Sequence, residues 1–180
     1  VHGYEEWGIE GLLARIDGMF AFAIVDQNRN VLHMARDPFG EKPIYLYLDH
    51  EVFGFASNMK ALVSALSISQ EIDPISLNRY LALHYIPGSR TIFKKVERLL
   101  PGERMELSLS DYTCRRSKYY QILENEERVV DLQELESLMT YAVESRMVSD
   151  VPIGVFLSGG LDSSFVTALA SKHTPSIKTF

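Results

Sequence analysis

The stretch Phe156–Ser164, which reads FLSGGLDSS, constrains the fold of this chain more than any other feature. Residues 153–157 (IGVFL) before the loop predict a strand, and residues 164–172 (SFVTALASK) after it predict a helix. A strand, a tight glycine loop and a helix in that order are typical of a parallel α/β unit. The first turn of such a helix has unpaired backbone N–H groups and the positive end of the helix dipole, so the stretch predicts an anion-binding site.

The residue types inside this loop suit a phosphate. Gly159 and Gly160 let the backbone approach an anion closely. The hydroxyl groups that can donate to its oxygens belong to Ser158, Ser163 and Ser164. Asp162 would repel an anion, so its presence indicates a cation such as Mg²⁺ beside a phosphate or pyrophosphate.

Three better-known motifs are excluded at specific positions. The common phosphate loop needs a lysine after its last glycine, and SGGLDSS has none. A dinucleotide fingerprint needs G-x-G-x-x-G, which Gly159, Gly160 and Leu161 do not supply. A serine-hydrolase elbow needs a glycine where Phe156 stands. The alternative that remains is an ordinary glycine turn capped by serine, which Asp162 disfavours.

The first half of the chain is rich in short segments of β-branched and aromatic residues. Four of them predict two antiparallel hairpins, at 18–26, 31–36, 43–48 and 52–56. Two helices are predicted next, at 59–66 and 74–85, and Asp73 and Pro74 are typical of a helix start. Two further strands are predicted at 104–109 and 112–120.

A polar stretch at 121–130 separates this half from the rest and is interpreted as an interdomain linker; an exposed turn inside one domain is the alternative. Asp131 and Glu134 form a capping pair that opens the next helix. The apolar residues of that helix recur at helical spacing and predict a core-facing stripe. They are Leu132, Leu135, Leu138, Met139, Ala142 and Val143.

Composition excludes several classes of protein. The net charge of −6, with no cluster of lysine and arginine, disfavours a nucleic-acid binder. The longest apolar run, 19–25, is far too short to span a bilayer. The single cysteine, Cys114, fits a reducing cytoplasm. Val1 and Phe180 suggest that both ends are cuts through a longer protein.

The residues around SGGLDSS resemble the pyrophosphate loop of the N-type ATP pyrophosphatases. The longer string Ala142–Ser164 is similar, in particular, to the glutamine-hydrolysing asparagine synthetases. Upstream segments resemble the later part of the class II glutamine amidotransferase domain that precedes the pyrophosphatase domain in that family. These segments are RIDGMFAFAIVD (15–26), ARDPFGEKPIYLY (35–47) and FGFASNMKALVSAL (53–66). Two unrelated sets of motifs therefore occur in the family's order.

The resemblance implies a fold of two parts, α+β followed by α/β. Residues 1–120 are expected to be the C-terminal part of an antiparallel-sheet amidotransferase domain, an α-β-β-α sandwich. Residues 121–130 would be a linker. Residues 131–180 would begin the parallel α/β ATP-binding domain with its first strand, loop and helix.

The resemblance also implies a function, that of a carbon–nitrogen ligase with glutamine as amido donor. In the family, ammonia from glutamine crosses a tunnel and attacks a β-aspartyl-adenylate, giving asparagine, AMP and pyrophosphate. The residues that match the ATP and pyrophosphate loop are Leu157, Ser158, Gly159, Gly160, Asp162, Ser163 and Ser164. Asp162 is expected near Mg²⁺. The nucleophilic N-terminal cysteine is expected outside the chain, so no catalytic residue is assigned and the fragment alone is expected to be inactive.

The expected partners are aspartate, glutamine and ATP, and a second copy of the chain in a homodimer, with no nucleic acid and no membrane. Two other functions stay open. A β-lactam synthetase or a related enzyme would adenylate a different carboxylate, and a degenerate module would keep the fold as a binding surface. The intact SGGLDSS disfavours the second.

Four other features are weighed for function. Arg36, Asp37 and Lys42 form either a functional cluster or a structural turn in which Arg36 and Asp37 satisfy loop backbone groups. Asn58 stands where relatives usually carry glutamate, which puts the packing near the tunnel in doubt. Cys114 is interpreted as structural because no histidine is near it in the sequence. The five histidines show no zinc-ligand spacing.

Overall fold

The computed structural model describes residues 1–49, 51–122 and 131–180. Its helices are α1 (His2–Leu13), α2 (Met59–Ala65), α3 (Pro74–Leu83), α4 (Leu132–Glu144) and α5 (Leu161–His173). Its strands are β1 (Ala21–Asp26), β2 (Val31–Arg36), β3 (Tyr45–Leu48), β4 (Phe53–Ala56), β5 (Glu97–Arg98), β6 (Glu103–Ser108), β7 (Cys114–Lys118), β8 (Gly154–Val155) and β9 (Lys178–Thr179). The chain divides into two compact units, Val1–Ile122 and Leu123–Phe180. Residues 123–130 of the predicted linker lie outside the described residues, and the domain boundaries stay a prediction.

The first unit is built from two antiparallel sheets. The first sheet has the order β1-β2-β6-β7, and the second sheet has the order β4-β3-β5. Both predicted hairpins are confirmed, because β1 pairs with β2 and β3 pairs with β4 in antiparallel register. The predicted segments were longer than the strands: 18–26 begins as a strand only at Ala21, and 112–120 pairs only over Cys114–Lys118.

The two sheets face one another across an apolar layer. It contains Leu32, Met34, Ile44, Leu46, Leu99, Met105 and Leu107, all of them buried. Because side chains alternate along a strand, the same stretch of β2 that sends Leu32 and Met34 into this layer presents His33 and Ala35 to the opposite face. That face needs a cover of its own.

Helices supply the two outer layers. On the first sheet, Ile9 and Leu13 of α1 pack with Ala35. On the second sheet, Leu62 and Val63 of α2 pack with Tyr47. The order helix, sheet, sheet, helix confirms the expected α-β-β-α sandwich.

The sequence did not predict α1. Gly8 interrupts its pattern and adopts a left-handed φ of 66°, so the helix is kinked in the middle and has no continuous apolar stripe. The starts of α2 and α3 follow ordinary capping: Asn58 accepts from the N–H groups of Lys60 and Ala61, and Asp73 accepts from that of Ile75. α3 ends at Leu83, two residues before the predicted end at residue 85.

The second unit contains the predicted strand, loop and helix. β8 and β9 pair in parallel, with Gly154 opposite Lys178, and α5 connects them. Asp131 caps α4 as predicted, through the N–H groups of Gln133 and Glu134. No helix among the described residues is long and apolar enough to cross a membrane.

The prediction that the apolar stripe of α4 faces a core is wrong for this chain. Leu132, Leu135 and Leu138 are all exposed, Leu132 to 75%. Helical spacing shows that one side of a helix is apolar, but it does not show that a partner is present. In the described second unit α4 packs on α5; Met139, Ala142 and Val143 are half-buried, and the three leucines are uncovered.

His33 is the one buried side chain in the described residues with a polar atom that lacks a hydrogen-bond partner. The residue is 1% exposed, Nε2 has no partner, and Nδ1 lies 3.5 Å from Glu106 Oε2. Its ring lies against that of Tyr4 in α1, with centroids 5.4 Å apart. Burial lowers the pKa of His33, and the charge of Glu106 opposes that effect only in part. His33 is therefore held neutral between α1 and the first sheet.

We predict that His33 makes unit 1 sensitive to acid. Because its pKa is lowered on folding, its neutral form contributes stability above the unfolded-state pKa of about 6.5, and this is lost as the pH falls. His33→Leu should remove the unpaired Nε2, raise the free energy of unfolding at neutral pH by about 1 kcal/mol and flatten the decline below pH 6.5. Urea unfolding followed by the fluorescence of Trp7, the single tryptophan, measures both.

The matched control is His2→Leu, because His2 is an exposed histidine on α1, the helix that covers His33. It should leave the pH dependence unchanged. If wild type and His33→Leu lose stability in parallel between pH 6.5 and about 5, His33 is not the titrating group.

Candidate phosphate-binding site

The site begins where β8 ends. Phe180 N–H donates to Val155 O at 3.0 Å, and Leu157 N–H donates to Phe180 O at 2.8 Å. Leu157 therefore stands at the end of the parallel pair, where the chain leaves the sheet. In α/β units this carboxyl end is where ligands bind, because the next helix begins there.

The backbone of the loop turns at Gly159. Its φ of 81° lies in the left-handed region, which glycine adopts without steric penalty. No heavy atom lies within 4 Å of where a Cβ would stand, so the space beside Gly159 is open. Gly160 follows in an extended conformation, with φ −75° and ψ 161°, and is the N-cap residue of α5. The two glycines thus do different things: the first sets the turn, and the second begins the helix.

The hydroxyls of Ser158 and Ser163 bridge the loop. Their Oγ atoms are 3.0 Å apart, and Ser163 Oγ donates to Gly160 O at 3.1 Å. Since a serine hydroxyl has one proton, Ser158 is then the donor to Ser163. Gly160 N–H lies 3.4 Å from Ser158 Oγ, which closes a ring of hydrogen bonds from Gly160 back to Gly160. An incoming anion can replace the present acceptors of these hydroxyl groups, which then donate their hydrogen bonds to it.

Helix α5 begins at Leu161, three residues earlier than predicted. Asp162, Ser163 and Ser164 therefore lie in its first turn. Ser164 N–H is already bonded to Gly160 O at 3.0 Å, but the preceding N–H groups have no intrahelical acceptor. Those N–H groups and the helix dipole give the loop a partial positive charge, and the basic residues Lys172 and His173 occupy the opposite end of the helix.

The structure thus brings Ser158, Gly159, Gly160 and Ser163 together, with Leu157 beside them. Asp162 is exposed in the first turn of α5. Among the described residues no group of three histidine, cysteine or acidic side chains could hold a metal ion. One carboxylate is nevertheless a sufficient protein contribution to Mg²⁺, which takes its other ligands from phosphate oxygens and water. The loop therefore fits a phosphate chain accompanied by Mg²⁺ better than a metal held by protein alone.

The second candidate cluster, Arg36 and Asp37 with Lys42, is a structural turn. The Asp37 side chain is fully buried and accepts N–H bonds from Phe39, Glu41 and Lys42 at 2.9–3.1 Å. Burial raises the pKa of Asp37, but the N–H groups around it lower it by more.

Arg36 complements it by donating to three backbone carbonyl groups. These are Gly40 O at 2.6 Å, Leu99 O at 2.7 Å and Lys42 O at 2.9 Å. The structural alternative is confirmed.

The two remaining features also have local structural roles. Asn58 caps α2 with its side-chain oxygen, at 2.9 Å from Lys60 N. Cys114 is a free, half-buried cysteine that packs at the margin of the layer between the sheets. Sequence reasoning missed His33, since nothing in the pattern VLHMAR distinguishes a buried histidine that faces α1 from an exposed one.

Comparison with known proteins agrees with this architecture. The family model described as the glutamine amidotransferase domain matches residues 1–120. The chain belongs to that family. The family model for asparagine synthase matches residues 134–180, which contain the loop described above.

Curated relatives match across both units. Asparagine synthetase [glutamine-hydrolyzing] 1 of Bacillus subtilis is 35% identical over 175 residues, which is 95% of this chain and 27% of the relative. A putative asparagine synthetase [glutamine-hydrolyzing] of Mycobacterium bovis is 34% identical over 187 residues, covering 99% of this chain and 28% of the relative. The chain thus spans little more than a quarter of these relatives' length. Among solved structures, a glutamine phosphoribosylpyrophosphate amidotransferase from B. subtilis matches with a TM-score of 0.39 and 13% identity, covering 96% of this chain and 34% of its own.

We predict that the buried carboxylate of Asp37 stabilises unit 1. In Asp37→Asn the side-chain nitrogen would face a backbone N–H group, so the free energy of unfolding should fall by about 2 kcal/mol at neutral pH. Since the pKa of Asp37 is lowered on folding, the wild type loses this contribution as the pH falls below about 3.8. The difference between the two proteins should therefore shrink in acid.

Urea unfolding with Trp7 fluorescence at several pH values tests this. Glu51→Gln is the control, because Glu51 is an exposed carboxylate in the turn between β3 and β4 of the same unit. It should change stability by less than about 0.5 kcal/mol. Equal losses in the two variants would contradict a special role for Asp37.

We predict that the two glycines of the loop respond differently to alanine. Gly159→Ala forces a side chain into the left-handed region and should lower the free energy of opening of α5 by about 1 kcal/mol. Gly160→Ala keeps an allowed conformation, with its new Cβ 3.5 Å from Ser158 Oγ, and should change it by less than about 0.5 kcal/mol. Hydrogen exchange of the α5 amides measures both, and similar effects would show that the left-handed turn is not required.

Proposed function

We propose that the chain is the middle part of a glutamine-dependent asparagine synthetase. It would join the end of the amidotransferase domain to the start of the ATP-binding domain. The main observation in support is that two structures follow one another along the chain. The first is an α-β-β-α unit of the amidotransferase family, and the second is a parallel strand–loop–helix whose loop suits a phosphate. Neither half alone would separate this enzyme from other amidotransferases or other ATP-binding proteins.

The proposed reaction activates a carboxylate and then aminates it. An oxygen of the aspartate β-carboxylate bonds to the α-phosphorus of ATP, and the bond to the departing pyrophosphate breaks. Ammonia released from glutamine then attacks the acyl carbon, and AMP leaves with the bonding electrons as asparagine forms. The attacking nitrogen gives up one proton to solvent or to a base.

The residues of the loop would act on the charge of the pyrophosphate. The open side of Gly159 admits the phosphate oxygens, and the free N–H groups at the start of α5 donate to them. Ser158 and Ser163 would exchange their mutual hydrogen bond for bonds to the same oxygens. Donors already fixed in place stabilise the leaving group without reorganisation, which lowers the barrier.

Asp162 has a distinct role in this proposal. Its exposed carboxylate at the helix start would hold Mg²⁺, which neutralises the phosphate charge as the anhydride bond breaks. Without a cation, the carboxylate would repel the phosphate chain that the rest of the loop attracts.

The proposal includes the wider setting of the enzyme. The 180 residues would not catalyse the reaction alone, because the nucleophilic cysteine of the glutaminase site is expected outside them. Glutamine, aspartate and ATP are the proposed substrates, and a cytoplasmic location is supported by the free Cys114. A homodimer stays a prediction.

The direct test is ATP–pyrophosphate exchange by the full-length protein in the presence of aspartate. We expect exchange that depends on aspartate and Mg²⁺, and a decrease on the order of a hundredfold in Asp162→Ala. Glu136→Ala is the matched control, since Glu136 is an exposed carboxylate on the neighbouring α4, and it should exchange normally.

Two outcomes separate the parts of the proposal. Unchanged exchange in Asp162→Ala would overturn the role of that carboxylate. Exchange with a different carboxylic acid but not with aspartate would overturn asparagine synthesis and leave the phosphate site in place.

A further inference from the structure

A cavity of about 330 Å³ opens at one edge of the sandwich in the first unit, and the proposed reaction does not use it. It lies where the edge strands β5 and β7 face one another across the two sheets. Its volume is within the range of small-molecule sites in proteins, at about 300–1,000 Å³. The cavity belongs wholly to the amidotransferase unit and has no residue in common with the phosphate loop.

The floor and inner wall of the cavity are apolar. Leu46 and Met105 form its floor, one from each sheet, and both belong to the buried layer between the sheets. Leu48 and Phe53 extend the apolar wall toward solvent, and Leu48 is 39% exposed. An apolar ring or branched chain placed here would cover hydrocarbon that water now contacts.

The rim of the cavity carries three cations, Lys94, Lys95 and Arg116, and two carboxylates, Asp49 and Glu97. Arg116 of β7 and Glu97 of β5 form an ion pair at 2.7 Å that spans the two sheets. This pair follows from the register, since Met105 faces Arg116 and Leu46 faces Glu97. Arg116 and Glu97 thus occupy inward-facing positions at the edge, where the apolar layer ends.

The two other cations of the rim differ in their partners. Lys94 pairs with Glu71, outside the cavity. Lys95 has no ion-pair partner in the described part of the chain, although its charge acts on Asp49 from a distance. A hydrogen bond from Tyr47 and backbone N–H groups lower the pKa of Asp49 to about 2, so the charge of that carboxylate is already stabilised by its own turn. Lys95 is therefore the rim cation without an ion-pair partner among the described residues.

We propose that this cavity binds a small organic anion with an apolar body, an aryl or branched aliphatic carboxylate. The apolar body lies between Leu48 and Phe53 above Met105, and the carboxylate lies at the rim against Lys95, within reach of Arg116. A cationic ligand would meet the unpaired Lys95, while the two rim carboxylates, Asp49 and Glu97, already have Tyr47 and Arg116 as partners. An uncharged polar ligand would leave the apolar floor poorly matched. A purely inorganic anion would gain nothing from that floor.

The methionine methyl groups give a direct readout. We would label the 180-residue chain with ¹³C at the methionine methyls and titrate it with hydrocinnamate, an aryl carboxylate. The Met105 signal should move with saturation in the millimolar range or below, while that of Met34 should not, because Met34 lies in the same buried layer but does not line the cavity.

Two variants and one neutral probe test the recognition. Lys95→Gln should weaken hydrocinnamate by about two- to fivefold, as expected for one exposed ion pair, and Lys60→Gln on the exposed start of α2 should not. Hydrocinnamyl alcohol has the same ring without the charge. It should bind wild type more weakly than hydrocinnamate does, and its affinity should be the same for wild type and Lys95→Gln. Leu48→Trp should fill the mouth of the cavity and abolish the shift of Met105.

The proposal is overturned if Met105 does not move, or if Met105 and Met34 move together. It is also overturned if the acid and the alcohol bind equally, because the rim cation would then play no part. None of these outcomes depends on ATP, aspartate or the SGGLDSS loop, so failure here is distinguishable from failure of the proposed function.

Discussion

The fully buried carboxylate of Asp37 is the interaction on which the arrangement of the first unit depends. It lies in the connection between β2 of the first sheet and β3 of the second, and its oxygens accept hydrogen bonds from three N–H groups of that connection. Its backbone oxygen also accepts from Gly102 N at 2.9 Å, just before β6. Arg36 fixes the other side of the turn, while Tyr119 OH donates to Arg36 O at 2.7 Å. Asp37 and Arg36 together therefore fix how the chain passes from one sheet to the other.

Much of this fold could be predicted because local signals agreed with the tertiary structure. The hairpins follow from short segments of β-branched and aromatic residues that are separated by turn residues. Asp73, Asp131 and Pro74 mark helix starts, because capping acts within four residues of the chain. Helix α1 was not predictable by the same signals, because Gly8 breaks its periodicity and its stabilising contacts, such as the packing of Ile9 and Leu13 and the hydrogen bond from Tyr4 to Asp26, are with the first sheet. Local propensity does not contain that packing.

The candidate site divides in the same way. The order strand, loop, helix and the types of its residues could be predicted, since anion binding at a helix start needs only backbone geometry and hydroxyls. The early start of α5, the different conformations of Gly159 and Gly160 and the closed ring through Ser158 and Ser163 could not, because they depend on φ and on rotamers that sequence does not specify. The turn at Arg36 and Asp37 shows the converse: charged residues near one another in sequence were in fact satisfying backbone groups.

The strand β7 has a consequence for how copies of this chain can meet. It is the last strand of the described first sheet, and its side chains include Arg115, Arg116 and Lys118. Unpaired edge strands invite pairing with another chain, as in domain swapping and amyloid. Two antiparallel copies meeting along β7 would bring Arg115 and Lys118 of one copy close to those of the other, while Arg116 already pairs with Glu97. The basic side chains of β7 therefore disfavour the pairing of two copies along this edge.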